Sequence, residues 1–270
     1  MMAFRFAAVG DNCIDRFLPP VGLAQVGGNA VNVAVQLARL GHAASYFGAV
    51  GDDPDGRRIR TLLAANGVGV AHVDTRPGNT AFTDIRVMPD GDRIMTYEDF
   101  GVCRGYAPGE TALIALAAVD HVHIGWLDDG GELRRRLAAA GVSVSQDISV
   151  NADPHNLGVE GLAIAFASAG DDPAQAADRA SDLVARGAKR AVVTMGPVGS
   201  LAYDGRNLVR VGIRPVEVVD TTGAGDSFIA GYLAAHVGGM PAAACLEAGR
   251  DRAAMTCTHV GGFPQQLAAI

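Results

Sequence analysis

Lys189 is the only lysine in this chain of 270 residues; every other basic side chain apart from histidine is arginine. Lys189 lies just past Gly187, where a helical run ends, so a solvated surface position is expected for it. That excludes a P-loop lysine and the strand lysine of protein kinases, and leaves Schiff-base chemistry on one badly placed amine. The four cysteines, Cys13, Cys103, Cys245 and Cys257, contain no Cys-x-x-Cys pair and have no histidine cluster beside them, which argues against a zinc site. Reduced thiols in a cytoplasmic protein are the simplest expectation. Residues 1–10 lack the apolar core of a signal peptide, and no uncharged apolar run reaches the about 18 residues that a membrane span needs. There is no basic block and the formal net charge is −7, so nucleic acid and anionic membrane are excluded as expected partners. No Gly-x-Gly-x-x-Gly follows the first strand-like run, against a dinucleotide-binding dehydrogenase.

What is present is a chain with 49% hydrophobic residues, long enough for one large α/β domain. No linker, internal repeat or low-complexity tract divides it. An apolar run at 7–10 ends at Asp11-Asn12, and Gly27-Gly28-Asn29 opens a helix. Val33, Leu37 and Leu40 give that helix an apolar stripe, with Ala30, Ala34 and Ala38 beside it, and Gly41 as its stop. A strand at 45–50 and a helix from Pro54 to about Asn66-Gly67 follow. Residues 80–88 and 93–97 read as a hairpin around Pro89-Asp90-Gly91-Asp92, an insertion into the βαβ pattern that 13–25 could join. Strands are then expected at 119–124, 142–146, 162–166, 191–195 and 216–219, with helices at 133–140 and 174–186. A second hairpin pairs 200–203 with 208–211, and two final helices run at 224–237 and 241–258. Such alternation implies a mostly parallel sheet covered on both faces, with ligands beyond the carboxyl ends of its strands.

Two constellations carry chemistry. In the first, Asp220-Thr221-Thr222 leads to Gly223-Ala224-Gly225, then Asp226 and an apolar helix. Small residues at a helix start leave backbone N–H groups bare for an anion. A carboxylate in that turn suits phosphoryl transfer, orienting a hydroxyl and accepting its proton; equally, Asp226 could merely complement the helix dipole. In the second, Gly27-Gly28-Asn29-Ala30-Val31-Asn32 places two amides on one face of a first helical turn. Amides that donate and accept suit sugar hydroxyls, but an N-cap and a solvated residue would look the same. Asp11 is either a ligand contact or a cap.

Together, in this order and about 200 residues apart, the two constellations resemble the PfkB/ribokinase family of carbohydrate kinases. The first resembles its Asp-Thr-x-Gly-Ala-Gly-Asp signature and the second its Gly-Gly-x-x-x-Asn helix start. The resemblance implies a ribokinase-like three-layer α/β/α sandwich with a mostly parallel central sheet. It implies one domain over 1–270, with a small β-lid inserted at about 12–25 and 79–100 that serves in homodimerisation. It implies an enzyme in which Asp226 is the catalytic base and Gly223, Ala224 and Gly225 form the anion hole. Asp11, Gly28, Asn29 and Asn32 would contact the sugar. Thr194, Gly196 and Gly199 would bind nucleotide together with Gly225, and 253–258 would lie near the adenine. ATP and Mg²⁺ are the implied cofactors, with K⁺ as a third at Asp220 and Thr222. The family's Asn-x-x-Glu metal motif is replaced by Ser168-Ala169-Gly170-Asp171, so Asp171, acting through water, is the expected stand-in for the glutamate.

Within the family the resemblance is strongest to fructoselysine 6-kinases. It rests on Gly10-Asp11-Asn12-Cys13-Ile14-Asp15, on the compact segment before residue 27, and on Phe166-Ala167-Ser168-Ala169. A sugar or fructosyl-amine is then the expected substrate; ribokinase-like, fructokinase-like or nucleoside kinase activity and a non-catalytic sensor are the alternatives. A fructosyl-amine carries positive charge, so Glu98, Asp99, Asp128 and Asp129 are candidates for its amine end, or else solvated loop acids. Arg93 is expected to reach sugar or phosphates from the lid, and Trp126 to be either site wall or core.

Overall fold

The computed structural model describes residues 3–88 and 93–270, so the expected turn Pro89-Asp90-Gly91-Asp92 lies outside the described residues. In chain order it begins β1 (Arg5–Val9), β2 (Cys13–Phe17), β3 (Leu23–Gly27), α1 (Asn29–Arg39), β4 (Ala43–Gly51), α2 (Pro54–Ala65) and β5 (Gly69–Arg76). It continues with β6 (Phe82–Val87), β7 (Arg93–Asp99), α3 (Glu110–Ala117), β8 (His121–Ile124), α4 (Glu132–Ala139), β9 (Val144–Asp147) and β10 (Ile164–Ser168). It ends with α5 (Pro173–Ala185), β11 (Ala191–Thr194), β12 (Ser200–Tyr203), β13 (Leu208–Val211), α6 (Ala224–Val237), α7 (Ala242–Thr256) and β14 (Ala268–Ala269).

Nine strands form one sheet in the order β13-β12-β11-β10-β9-β8-β1-β4-β5. From β11 to β5 every neighbouring pair is parallel, and β12 and β13 add an antiparallel edge. Side chains alternate across a strand, so each strand feeds two cores. In β1, Phe6 and Ala8 pack with residues of α1, α2, α6 and α7, whereas Ala7 and Val9 pack with α3, α4 and α5. Ile164 and Phe166 against Ala165 and Ala167 repeat the division in β10. The result is the expected α/β/α sandwich with a mostly parallel sheet. The helices begin as the sequence suggests: Asp53 caps α2 and Asp172 caps α5, each followed by proline.

One expected strand is absent. Residues 216–219 pair with no strand of either sheet, and Val218 and Val219 are 59% and 56% exposed. The chain leaves β13 at the edge of the sheet and crosses outside it. Its backbone is held by the Cys257 carbonyl, which accepts from Val219 N at 2.8 Å and Asp220 N at 3.3 Å. An apolar run was the only signal for a strand there, and Val216 and Val218 instead wall a cleft.

A second sheet has the order β14-β3-β2-β6-β7, built from the β2–β3 and β6–β7 hairpins. It grows directly from the carboxyl end of β1, where the order of the large sheet reverses between β8 and β4, the place where open α/β sheets bind ligands. The chain leaves at Gly10-Asp11-Asn12 and returns at Gly28, which has φ +102° and would place a Cβ 2.6 Å from Asn12 Cα. Only glycine lets the two passes lie so close.

Candidate active site

α1 starts at Gly28, whose lack of a side chain leaves the helix without a local cap. Asp11 supplies one from β1: Oδ2 accepts from Asn29 N at 2.7 Å, and Oδ1 from Ala30 N at 3.2 Å and Trp126 N at 3.1 Å. Burial still raises the Asp11 pKa, outweighing those N–H groups. Asn29 and Asn32 then project from the first turn of α1 toward the first turn of α6. Asn29 Nδ2 donates to Asp226 Oδ1 and Asn32 Nδ2 to Asp226 Oδ2, both at 2.7 Å. Residues 197 and 194 apart in sequence are thereby joined at one carboxylate.

Asp226 has a pKa pushed up to about 8. Desolvation is the main cause; the Asn32 amide works against it, and the nearby Asp147 and Asp11 carboxylates add to it. Asp147, at the end of β9, was not singled out by its sequence. It accepts from Asn29 Nδ2 at 3.0 Å and from the Ser149 hydroxyl at 2.6 Å, and burial raises its pKa as well. No cation touches Asp11, Asp147 or Asp226 among the described residues; amides and hydroxyls hold them.

The orientation of Asn29 is set from below. Its Oδ1 lies 3.2 Å from His123 Nε2; His123 Nδ1 and His121 Nε2 lie 3.0 and 2.8 Å from Ser145 Oγ, and His121 Nδ1 lies 2.9 Å from Ser143 Oγ. Desolvation lowers both histidines to a pKa of about 3, so both are neutral. One set of protons satisfies the chain: Ser143 donates to His121, His121 to Ser145, Ser145 to His123 and His123 to Asn29. Asn29 must then turn its amide N–H groups toward Asp147 and Asp226. The His-x-His spacing of β8 beside Ser143-x-Ser145 was the sequence signal for this chain, since alternate residues share a strand face.

The small residues before α6 do the expected job in a different way. Gly223 has φ +75°, and a Cβ there would collide with Gly262 Cα. The N–H of Ala224 donates back to Thr221 O at 3.1 Å. The N–H groups of Gly225 and Asp226 have no acceptor among the described residues and stay open to an anion. Gly225, with Ala224, lines a cleft of about 720 Å³. Thr194, Gly196 and Gly199 line one side of it, Ala253, Ala254 and Cys257 another, with Val216, Val218 and Phe228 between. Arg250, not anticipated, also lines it.

Several expected residues lie elsewhere. Arg93 does not face the cleft: its Nη1 donates to Asp220 Oδ1 at 2.6 Å and to Thr222 Oγ1 at 2.9 Å, tying β7 to the loop before α6. Burial works to raise the Asp220 pKa, but the N–H groups of Gly261 and Thr222, the Thr222 hydroxyl and Arg93 hold it below 3.8. Asp171 sits exposed in the turn after β10, apart from the cleft lining, because the chain turns outward to reach the α5 cap. Asp99 and Asp128 bind the N–H groups of Gly101 and Gly105, and Asp129 those of Gly131 and Leu133. Trp126 is core, stacked 3.9 Å from Phe100. Glu98 does approach the site: burial raises its pKa, followed by Asp11, and Asp15 adds to the effect. Asp15, bonded to Gln25 at 3.2 Å, is a neighbour the sequence reading missed.

A carboxylate beside bare helix-start amides, next to a large cleft, is an arrangement that suits group transfer. The chain belongs to the pfkB family of carbohydrate kinases, whose pattern matches residues 23–127 and 158–266. It is 38% identical over 265 residues to the fructoselysine 6-kinase of Escherichia coli (strain K12), covering 95% of this chain and 98% of that protein. It is 29% identical to the fructosamine kinase FrlD of Bacillus subtilis (strain 168), covering 96% and 93%. Among solved structures, an Arabidopsis thaliana ribokinase complexed with ribose and ATP superimposes with a TM-score of 0.87 at 22% identity, covering 96% of this chain and 94% of that one, and shows the fold to be ribokinase-like. The protein is therefore a carbohydrate kinase of this family.

The buried histidines give a pH test. Their folded pKa values, about 3, lie below the ordinary 6.5, so between those values the unfolded chain binds more protons and stability falls as pH falls. Replacing His123→Asn removes one such group. On lowering the pH from about 6.5 to about 4, the wild-type melting temperature should drop more than that of the variant. Parallel curves would mean that His123 titrates normally and does not orient Asn29.

Proposed function

We propose that the protein transfers the γ-phosphoryl group of ATP to a primary hydroxyl of a fructosyl-amine. The observation that carries this reading is the Asp226 carboxylate, poised by Asn29 and Asn32 beside the open N–H groups of Gly225 and Asp226. The substrate hydroxyl takes a place against Asp226, Asn29 and Asn32, with Gly28 and Asp11 shaping the adjoining backbone. Asp226 accepts the hydroxyl proton as that oxygen attacks the γ-phosphorus. The bond to the bridging oxygen breaks, ADP leaves, and the bare N–H groups stabilise charge on the moving group. A base with a pKa near 8 is well matched to this work, since it holds a proton firmly without being inert at neutral pH.

ATP fits the cleft of about 720 Å³, with Thr194, Gly196 and Gly199 along its phosphates and residues 253–258 near its base. Among the described residues no three metal-ligating side chains cluster, but Asp147 presents a carboxylate to the cleft. One carboxylate plus phosphates and water is how Mg²⁺ is commonly held, so the site fits Mg²⁺ brought by ATP, where it neutralises phosphate charge. Asp171, exposed and outside the cleft lining, would have to act through water. A monovalent cation fits less well at Asp220 and Thr222, because Arg93 already places a positive charge on both.

The fructosyl-amine is favoured over a neutral sugar by the acids above Asp11. Asp15 and Glu98 both have raised pKa values: desolvation is the first cause, hydrogen bonds from Gln25 and Thr83 work against it, and neighbouring carboxylates, Asp220 at Asp15 and Asp11 at Glu98, add to it. An ammonium group placed there relieves both effects. The likeness to a fructoselysine 6-kinase supports the same substrate. We read the second sheet as a lid over this site, latched by Arg93, within one domain. Ile94, Met95 and Tyr97, exposed on β7, favour a homodimer through it. No helix among the described residues is long and apolar enough to cross a membrane, and all four cysteines are free, in keeping with a cytoplasmic setting.

Two measurements test this. Asp226→Asn should retain fructoselysine binding while losing about 10³-fold or more in kcat; near-normal turnover would remove Asp226 from its role. Glu98→Gln should raise KM for fructoselysine about tenfold while leaving KM for fructose nearly unchanged. Equal effects on the charged and neutral sugars would show that Glu98 does not read the amine.

A further inference from the structure

A second cavity, about 270 Å³, lies behind the segment that walls the large cleft. Its lining is unusual for a chain of formal net charge −7: Arg39, Arg214 and Arg252 face it, with His259, and no carboxylate does. The arginines come from three separate places, the last turn of α1, the crossing segment after β13, and α7. Like charges gather this way when an opposite charge is to be held between them.

The arrangement is also built rather than fortuitous. Gln36 is 2% exposed; its Nε2 donates to Gly262 O at 2.5 Å and its Oε1 accepts from Arg252 Nε at 2.7 Å. Arg252 is thus fixed by a buried amide, and its terminal nitrogens have no partner among the described residues. Arg39 has no hydrogen bond or ion pair among them. The closest acid to Arg214 is Asp251, at 3.9 Å, and Asp251 is engaged at 2.9 Å by Arg250. Thr256 and Thr258 add hydroxyls to the lining. Arg39 also complements the α1 dipole, but that role does not call for two further arginines opposite it.

We propose that this cavity binds a phosphate-bearing anion, free phosphate or a small phosphorylated sugar, through Arg39, Arg214 and Arg252. Guanidinium groups match phosphate oxygens in geometry as well as charge. Arg214, Val216 and Ala254 line both cavities, so an anion held here braces one wall of the large cleft.

Calorimetric titration of the full chain with inorganic phosphate and, separately, with fructose 6-phosphate tests the proposal. Saturable binding to the wild type is expected, weakened about tenfold or more by Arg252→Gln and by Arg39→Gln. Arg39→Gln breaks no recorded contact, so it decides the matter even if Arg252→Gln fails to fold. Tighter arginine-dependent binding of fructose 6-phosphate assigns a sugar phosphate, and equal binding assigns the phosphate group alone; both support the site. No saturable binding, or binding that survives both substitutions and so belongs to the open amides of α6, overturns it. The readout is binding, so its failure and that of the kinase reading are distinguishable.

Discussion

Two amide groups reaching from α1 to the Asp226 carboxylate set the terms for the rest of this molecule. They hold the acid without a cation, and so without making it a weak base. An arginine in their place would depress its pKa; a few residues away, against desolvation, the N–H groups of Gly261 and Thr222, the Thr222 hydroxyl and then Arg93 together hold Asp220 down. With amide donors alone, desolvation and the Asp147 and Asp11 carboxylates prevail, and the group stays proton-hungry. The cost is two further carboxylates, Asp147 and Asp11, near enough to Asp226 to repel its charge. That cost is offset by backbone N–H groups at Asp11 and by serine at Asp147.

The fold serves this contact. α1 and α6 must begin at the same point, and small residues allow it: Ala30 and Ala34 are fully buried in α1, and Gly223 starts α6 where no Cβ would fit. β8 contributes two neutral histidines whose only evident task is to fix the Asn29 amide. The second sheet is pinned above by the ion pair of Arg93 with Asp220, whose side chain is 2% exposed. In the reading we propose, substrate recognition, chemistry and lid position therefore meet within the loop and first turn of 220–226.

Much of this was legible in the sequence. Glycines, caps and apolar periodicity locate nearly every helix and parallel strand, because those signals are local. The Gly-Gly-Asn and Gly-Ala-Gly-Asp runs point to one site because each combines bare backbone with a polar side chain. What escaped was pairwise and distant. Nothing local distinguishes Asp147 from a loop acid, or tells that Arg93 will meet Asp220 rather than a ligand. Val216 and Val218 looked like part of a buried strand because apolar residues that wall a cleft and those that fill a core have the same composition. His121 and His123 looked like strand residues; their alternate spacing puts them on one face, and the register of β8 against β9 then pairs them with Ser143 and Ser145.

The proposed chemistry rests on Asp226 being a half-buried, desolvated acid restrained by two neutral amides, and its titration is the direct test. Carbon-13 NMR of the Asp226 carboxyl carbon, followed against pH in the wild type and in Asn32→Leu, measures it. The account predicts an apparent pKa near 8 in the wild type, and a higher one in the variant, where the carboxylate loses a donor but keeps its burial. A wild-type value near the ordinary 3.8, or one that does not move when Asn32 is replaced, would contradict it.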